Sequence, residues 1–185
     1  MTMQYQIRSA KRDDWTAILA LLSVSHLPTQ DLTPENAGQF LVADAENCII
    51  GTIGYEPHEP YALFRSLAVH PTKRGCGIGI ALNMAMEQYC ADAGYTAAYI
   101  LTTTAEIFAR KEGYSKIRRE DVPPAIQLTA QYSALCPRTA ACMFKELKKR
   151  VQQAVPDYDP QGVPRNGFIS LHSLSLGPLW VESEP

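Results

Sequence analysis

Three glycines at alternate positions separate an apolar run from a helical pattern near the middle of the chain. They lie in the segment RGCGIG, residues 74–79. Small residues let a backbone approach a phosphate closely, and successive amides at a helix start point toward one region. The positive end of the helix dipole adds attraction, and Arg74 can pair with a diphosphate without a P-loop lysine. The segment, called the glycine loop below, therefore predicts a site for a phosphate-bearing ligand.

Two familiar nucleotide loops do not fit this spacing. A Walker loop continues from its glycines into Gly-Lys-Ser/Thr, and a dinucleotide fingerprint has the spacing G-x-G-x-x-G. Residues 74–79 have neither feature. A structural alternative is a tight turn from strand to helix, because glycines also serve that purpose. The strands and helices on either side of the loop help to decide between a phosphate site and a purely structural turn.

The elements around the loop alternate between strands and helices. Before the loop, the patterns predict a strand at 5–8, a helix from 15, a hairpin of 40–43 with 48–55, a turn at 56–60 and a strand at 61–69. After it, they predict a helix at 78–93, a strand at 96–102, a helix at 105–112, an edge strand at 114–118, a short helix at 125–132 and a strand at 141–147. Antiparallel neighbours at the start and a crossover around the loop indicate an α/β fold with a mixed, mainly antiparallel sheet.

Composition narrows the class of protein. The chain has 185 residues, of which 46% are hydrophobic, so we expect one domain at 1–147 and a Pro/Gly/Ser-rich extension at 148–185. Residues 168–179 of the extension are apolar enough to dock on the body or on a partner chain, as in a homodimer; the alternative is a poorly ordered tail. A net charge of -2 gives no general attraction to nucleic acid or anionic membranes. Without a signal peptide or an apolar span, the expected location is cytoplasmic.

The cysteines argue against a disulfide framework. There are five, an odd number, and no two of them form a C-x-x-C pair. Structural zinc sites and disulfide scaffolds use paired cysteines at characteristic spacings. We therefore expect reduced thiols and no metal site.

The apolar strand, the pair His70-Pro71 and the R-G-x-G-x-G helix start together resemble the acyl-coenzyme A motif of the GNAT superfamily of N-acetyltransferases. The likeness extends over residues 5–147 and implies the GNAT fold, a twisted sheet of six to seven strands flanked by helices. It also implies acetyl-coenzyme A as co-substrate, with its pyrophosphate on the amides of residues 74–80 and its pantetheine arm along residues 67–69. The Val69 amide would then polarise the thioester carbonyl, because a fixed N–H aimed at a developing oxyanion stabilises the tetrahedral intermediate.

A second family element, N-x-x-A-x-x-F-Y with a K-x-G-F-like ending, aligns with residues 102–114. Thr102 replaces the asparagine, and Ala109 replaces the tyrosine that protonates the leaving thiolate in many members. The first change keeps a hydrogen-bonding side chain, whereas the second removes the usual general acid. This element and the distal sequence 122–147 are similar to the small acetyltransferases encoded with arsenic-resistance genes. They are more remotely similar to the acetyltransferase domain of N-acetylglutamate-forming enzymes.

The resemblance implies a set of site residues. Those expected to bind the cofactor are Leu67, Ala68, Val69, Arg74, Gly75, Cys76, Gly77, Ile78, Gly79, Ile80, Thr102, Ala105 and Phe108. The catalytic candidates are Val69, Ser66 and Glu59, of which Glu59 either activates a water or is a solvated turn carboxylate. Arg65 and Arg138 either bind a substrate carboxylate or pair with local acids.

These expectations combine into one reaction and two alternatives. The reaction is transfer of acetyl from acetyl-coenzyme A to the primary amine of a small, acid-bearing acceptor, by direct attack in a ternary complex. The acceptor partner is thus a small molecule resembling an amino acid, and glutamate or a related metabolic amino acid is the first alternative. The second alternative is a non-catalytic module that binds acyl-coenzyme A, since Ala109 leaves no evident general acid.

Overall fold

The apolar segments of the sequence form one mixed sheet. The computed structural model describes residues 4–149 and the short strand at 179–180. The strands are β1 (Gln6–Ser9), β2 (Phe40–Ala45), β3 (Cys48–His58), β4 (Tyr61–Val69), β5 (Ala97–Thr102), β6 (Ser115–Ile117), β7 (Ala141–Glu146) and β8 (Leu179–Trp180). They lie in the order β6-β7-β5-β4-β3-β2-β1-β8. Of the described neighbours, β4 and β5 are parallel and the others antiparallel, which confirms the predicted α/β class and mainly antiparallel sheet.

Two boundaries differ from the sequence-based expectation. The turn predicted at 56–60 is only Glu59 and Pro60, because β3 continues to His58 and pairs there with Tyr61. The helix predicted at 125–132 is divided into a single turn and a π-helical turn, Gln131–Leu135. The helices are α1 (Trp15–Val24), α2 (Ile78–Asp92), α3 (Glu106–Lys111) and α4 (Pro124–Gln127).

Helices cover both faces of the sheet. On one face, α2 buries Ile78, Leu82 and Met86 against the strands, and α3 adds Ala109. On the other face, α1 packs around Phe40, whereas α4 packs with Tyr99 in a separate cluster. A short turn, Pro71–Lys73, and the glycine loop therefore join the central strand β4 to α2, the helix that covers one face.

The sheet opens between β4 and β5. The two strands pair from Tyr61 with Ala97 to Phe64 with Ile100, and beyond that point each continues without pairing to the other. The register between β3 and β4 also shifts here, because three steps from Arg65 to Ala68 match two steps from Gly54 to Thr52. The extra residue forms a bulge in which Ser66 has a left-handed φ of 57°, a conformation that L residues rarely adopt. The diverging strand ends, residues 65–69 and 101–102, are called the opening below.

The C-terminal extension is described only in part. Leu179 and Trp180 form β8, which pairs with Ile7 and Gln6 at the edge of the sheet and was not predicted. The rest of the apolar segment expected to dock, at 168–178, lies outside the described residues. The division at residue 147 stays a prediction. Across the part of the chain that the structure describes, no helix combines the length and apolarity needed to span a bilayer.

Candidate active site

The glycine loop has the backbone of an anion cradle. Gly75 and Gly77 have φ values of 79° and 76°, in the left-handed region that favours glycine. Apart from adjoining backbone, no heavy atom lies within 4 Å of the point where a Cβ would stand at either residue. Gly77 is the N-cap of α2, so the first amides of that helix have no partner within it. The loop therefore presents donors and the positive end of a 15-residue helix to an open space.

The loop is tied to the end of β4. Arg74 donates from Nε to the carbonyl oxygen of Val69, with 3.1 Å between the two atoms. His70 donates its amide to the carbonyl oxygen of Ile50, at 2.8 Å. Hydrogen-bonded and non-bonded pairs alternate along an antiparallel ladder, so the next pair, Val69 with Gly51, is non-bonded. The Val69 amide consequently points away from β3, toward the side of β4 on which the opening lies.

A cavity of about 120 Å³ occupies the opening. Phe64 and Ile100, the last paired residues of the two strands, lie at its inner end, and α3 forms one wall. Its full lining is Leu27, Ile53, Phe64, Arg65, Ser66, Leu67, Asn83, Ile100, Leu101, Thr102, Thr104, Ala105, Phe108 and Ala109. The structure therefore brings Ser66, Leu67, Thr102, Ala105 and Phe108 together around one space, although they come from separate parts of the chain.

Thr102 fixes the start of α3. Its hydroxyl oxygen accepts from the amides of Thr104 and Ala105, at 3.2 and 2.8 Å. Gly79 on α2 lies against the same region, because a Cβ there would stand 3.8 Å from Val69 Cγ2 and 4.0 Å from Phe108 Cε2. The second family element thus shapes the cavity wall, and the Thr102 side chain holds that wall in place.

A buried polar network lies behind the cavity. Asn83, which is 1% exposed, donates to Glu87 Oε1 at 2.8 Å and accepts from the Tyr114 hydroxyl at 3.4 Å. Lys145 contacts both oxygens of Glu87, at 2.8 and 2.7 Å. Burial, with Glu87 nearby, raises the pKa of Tyr114 well above its ordinary value. Tyr114 does not line the cavity, so its surroundings are those of a core residue.

Arg65 is paired with local acids, which favours the second of the two roles considered from the sequence. Its side chain is 5% exposed and its guanidinium contacts Asp31 through both Nη atoms, with Nη1 also 2.5 Å from Glu56 Oε1. In the flipped orientation of its amide, Gln131 accepts from Arg65 Nη2 at 2.7 Å. One guanidinium is thus balanced by two carboxylates in what we call the Arg65 cluster (Arg65, Asp31, Glu56 and Gln131). A substrate carboxylate would have to displace an existing partner.

Two further candidates lie apart from the cavity. Arg138 is exposed and lines a different depression with Arg119 and Tyr132, so it does not act together with Arg65. Glu59 lies in the turn before β4, at the opposite end of that strand from Val69. Tyr61 and Val69, the first and last residues of β4, are eight residues apart, roughly 26 Å at about 3.3 Å per residue. The structure therefore does not bring Glu59 to the reacting atoms, and it favours the solvated turn carboxylate.

Three residues of this region were not found from the sequence. Asp31 lies in an irregular segment after α1, Glu56 lies in a stretch interpreted as a turn, and Asn83 is a polar residue within α2. None belongs to a motif with fixed spacing. Their proximity depends on how α1, β3 and α2 pack on β4, and the local sequence carries no signal of it.

Comparison with known proteins agrees with this geometry. The family model described as "Acetyltransferase (GNAT) domain" matches residues 36–116, which include β2 to β5, the glycine loop, α2 and α3. Residues 36–116 are therefore similar to an acetyltransferase domain of the GNAT family, as the resemblance predicted. No protein of curated function matches the sequence.

Solved structures show the same fold. The N-acetylglutamate synthase of Neisseria gonorrhoeae, complexed with coenzyme A and N-acetyl-glutamate, has a TM-score of 0.69 and 16% identity over 78% of this chain. The present chain covers 35% of that protein, about a third of its length. Rv2747 from Mycobacterium tuberculosis, solved with CoA, has a TM-score of 0.64 and 22% identity, covering 76% of this chain and 98% of that one. A GNAT acetyltransferase from Staphylococcus aureus has a TM-score of 0.65 and 19% identity, covering 78% of this chain and 99% of that one. The resemblance to arsenic-resistance acetyltransferases stays a prediction.

Proposed function

We propose that this chain transfers acetyl from acetyl-coenzyme A to the primary amine of a small molecule. The observation that carries the proposal is the order of three features along the chain: the cavity beside the diverging end of β4, then the Val69 amide, then the glycine loop. An extended thioester with a diphosphate at one end requires this combination of an anion cradle, a strand edge and an inner pocket.

The residues fit acetyl-coenzyme A in shape and charge. The open space beside Gly75 and Gly77 would admit a pyrophosphate that any Cβ would crowd. Arg74 is exposed and supplies a positive charge. Structural neighbours, including the synthase from N. gonorrhoeae and Rv2747, bind CoA in the same fold. The expected cofactor residues 74–80 are proposed to act through their amides, with Cys76 contributing no thiol chemistry.

The chain would assist the reaction mainly by position and by a fixed dipole. Acetyl-coenzyme A supplies an activated carbonyl carbon. The Val69 amide, directed away from β3, would donate to the carbonyl oxygen as negative charge develops there. Of the described residues that line the cavity none is a cysteine, and Ser66 Oγ has Arg65 Nε, 3.3 Å away, as its neighbour instead of a base. Direct attack by the amine in a ternary complex therefore suits the site better than an acyl-enzyme.

The acceptor is proposed to be an amine, without the acid group that the sequence suggested. That group depended on Arg65 and Arg138, of which the first is already paired and the second lies elsewhere. The Arg65 cluster has one positive and two negative charges, so its net charge of −1 is better matched to an ammonium or neutral amine than to a carboxylate. Asp31 and Glu56 contact Arg65, which lines the cavity, and through a bridging water they could accept the proton that the amine loses.

Release of the coenzyme A thiol tests this proposal. The protein is incubated with acetyl-coenzyme A and a panel of amines that includes simple alkyl amines, diamines, glutamate and glutamine. Thiol release is compared with the acetylated amine detected by mass spectrometry. We expect the two to appear in equal amounts with at least one amine, and preferentially with amines that lack a carboxylate. Binding of acetyl-coenzyme A without turnover across the panel would instead support the non-catalytic module. That alternative follows from Ala109, which replaces the usual general acid.

A further inference from the structure

We infer that Asn83 donates a hydrogen bond to the coenzyme A sulfur as the thiolate leaves. The inference rests on the proposed function, because it concerns the leaving group of that reaction. It makes Asn83 a catalytic residue in place of the tyrosine that Ala109 replaces. The amide stabilises the thiolate where the charge forms, so no side chain has to give the sulfur a proton.

Asn83 is a polar residue at a core position of α2. It is 1% exposed, and the neighbouring buried residues of the helix, Ile78, Leu82 and Met86, are apolar. Burying an amide costs free energy unless it is hydrogen-bonded, whereas a leucine of similar size would be buried without that cost. Packing alone therefore does not account for an asparagine at this position.

Two partners fix the orientation of the Asn83 amide. Nδ2 donates to Glu87 Oε1 at 2.8 Å, and Oδ1 accepts from the Tyr114 hydroxyl at 3.4 Å. Lys145 contacts both oxygens of Glu87 and so holds that acceptor in place. An amide nitrogen carries two hydrogens, and within residues 4–149 Glu87 is the one acceptor in contact with Nδ2. The second hydrogen is therefore available to a ligand in the cavity, which Asn83 lines.

Asn83 and Ala109 share one wall of the cavity. The Ala109 carbonyl oxygen accepts from the Tyr114 amide at 2.9 Å, and the Tyr114 hydroxyl in turn contacts Asn83. A tyrosine at position 109 would project its ring into the cavity beside Asn83. The methyl group of Ala109 leaves that space open, so a ligand atom there can reach the Asn83 amide.

The two reactants reach the cavity from opposite faces of the sheet. Asn83 and Ala109 line it from the face that α2 and α3 cover. Arg65 belongs to the other face, because its guanidinium contacts Asp31 and Gln131, which follow α1 and α4. The glycine loop leads into α2, so the coenzyme arm runs beside that helix and brings its sulfur to the side of Asn83. The amine enters from the side of the Arg65 cluster.

The bond changes balance without a general acid. The amine nitrogen attacks the carbonyl carbon, and the Val69 amide stabilises the oxyanion of the tetrahedral intermediate. The carbon–sulfur bond then breaks, and its electron pair goes to the sulfur, which accepts the hydrogen bond from Asn83 Nδ2. The amine nitrogen loses its proton to water, and the thiolate takes up a proton from solvent after it leaves. Asn83 donates a hydrogen bond and stays neutral throughout.

The acidity of the coenzyme A thiol in the binary complex tests the inference without an acceptor. Ultraviolet absorbance of the thiolate is recorded against pH for the full chain with coenzyme A, and the absorbance of the protein alone is subtracted. A hydrogen bond to a charged acceptor is stronger than one to a neutral acceptor, so Asn83 lowers the pKa of the bound thiol. We expect Asn83→Leu to raise that pKa by about 1, a tenfold change in the ionisation constant. Affinity for coenzyme A at pH 7, where the thiol is protonated, should stay close to that of the wild type.

Tyr114→Phe is the matched control. It disturbs the same buried network, changes no charge, and keeps both hydrogens of the Asn83 amide, which Glu87 still anchors. Tyr114→Phe should lower the free energy of unfolding as Asn83→Leu does, but it should raise the pKa of the bound thiol less. An equal rise in the two variants would indicate a disturbed core and would overturn the inference.

The wild-type complex decides the inference if Asn83→Leu does not fold. Burial raises the pKa of the Cys90 thiol to about 12, and a coenzyme A thiol buried without a donor should be raised in the same direction. A bound thiol with a pKa at or below that of free coenzyme A would support the inference, and one well above it would overturn it. Failure of coenzyme A to bind would refute the proposed function, and with it the inference. Binding of coenzyme A with a thiol pKa that Asn83→Leu leaves unchanged would refute the inference alone.

Discussion

The Nε atom of Arg74 lies 3.1 Å from the carbonyl oxygen of Val69 and donates a hydrogen bond to it, so the glycine loop is fastened to the strand end whose amide faces the opening. One side chain thus links the proposed diphosphate cradle to the proposed position of the thioester. Arg74 is exposed, and its remaining guanidinium nitrogens are available to an anion.

Replacement of Arg74 should weaken coenzyme A binding through loss of charge. We expect Arg74→Met to reduce affinity about tenfold, equivalent to about 1.4 kcal/mol, and to make binding less dependent on salt. Arg74→Lys should recover part of the affinity, since it restores the charge without the planar fork. Titrations at two salt concentrations measure both effects. Arg118→Met, at an exposed arginine paired with Asp121, is the control and should change neither.

Gly77 should be required for binding beyond its effect on stability. Gly77 and Gly94 have φ values of 76° and 99°, and open space surrounds the Cβ position of each. Alanine at either position should therefore destabilise the fold by a similar amount, about 1 kcal/mol. Only Gly77→Ala places a methyl group in the cradle, so it should lower coenzyme A affinity at least tenfold while Gly94→Ala leaves it unchanged. Unaltered affinity in Gly77→Ala would refute this location of the pyrophosphate.

Thr102 should stabilise α3 through its hydroxyl oxygen. Thr102→Val keeps the shape but removes the acceptor of two amides, and we expect a loss of about 1 kcal/mol in the free energy of unfolding. Because α3 lines the cavity, coenzyme A affinity should fall as well. Urea unfolding and calorimetry measure the two effects, and Thr102→Ser should restore both. A stable valine variant with wild-type affinity would show that the hydroxyl has no such role.

The Arg65 cluster should make stability depend on pH in the acid range. Burial raises the pKa of Asp31, but the hydrogen bonds and charge of Arg65 outweigh it, and the pKa lies below its ordinary value of 3.8. The stabilisation is therefore complete above pH 3.8 and is lost as pH falls through the lower pKa of the folded state. We expect Asp31→Asn to be about 1.5–3 kcal/mol less stable at pH 7, and the difference from wild type to shrink below pH 4. A difference that is constant between pH 7 and pH 3 would contradict this.

Local patterns were sufficient for most elements of the fold. The helix predicted at 78–93 and the strand predicted at 61–69 are observed as Ile78–Asp92 and Tyr61–Val69, because apolar periodicity and glycine punctuation act over a few residues. The bulge at Ser66 was not foreseen, since a left-handed serine has no sequence signature and depends on the packing of β3 against β4.

The parts of the site that depend on local backbone conformation could be predicted from the sequence. The parts that depend on ion pairs between distant residues could not. The conformation of the glycine loop depends on its own glycines, and the structure places the loop at the start of α2 as expected. The partners of Arg65 come from residues 9 and 34 positions away, so the sequence left its two interpretations equal and the structure favours local acids. Glu59 was chosen for its nearness to β4 in sequence, but the length of that strand separates it from the opening.

A crystal structure of the protein with coenzyme A tests the central claim most directly. We expect the pyrophosphate on the amides of residues 74–80, the pantetheine arm along the diverging end of β4, and the sulfur in the opening within reach of the Val69 amide. Coenzyme A bound away from the glycine loop, or a sulfur outside the opening, would contradict the account.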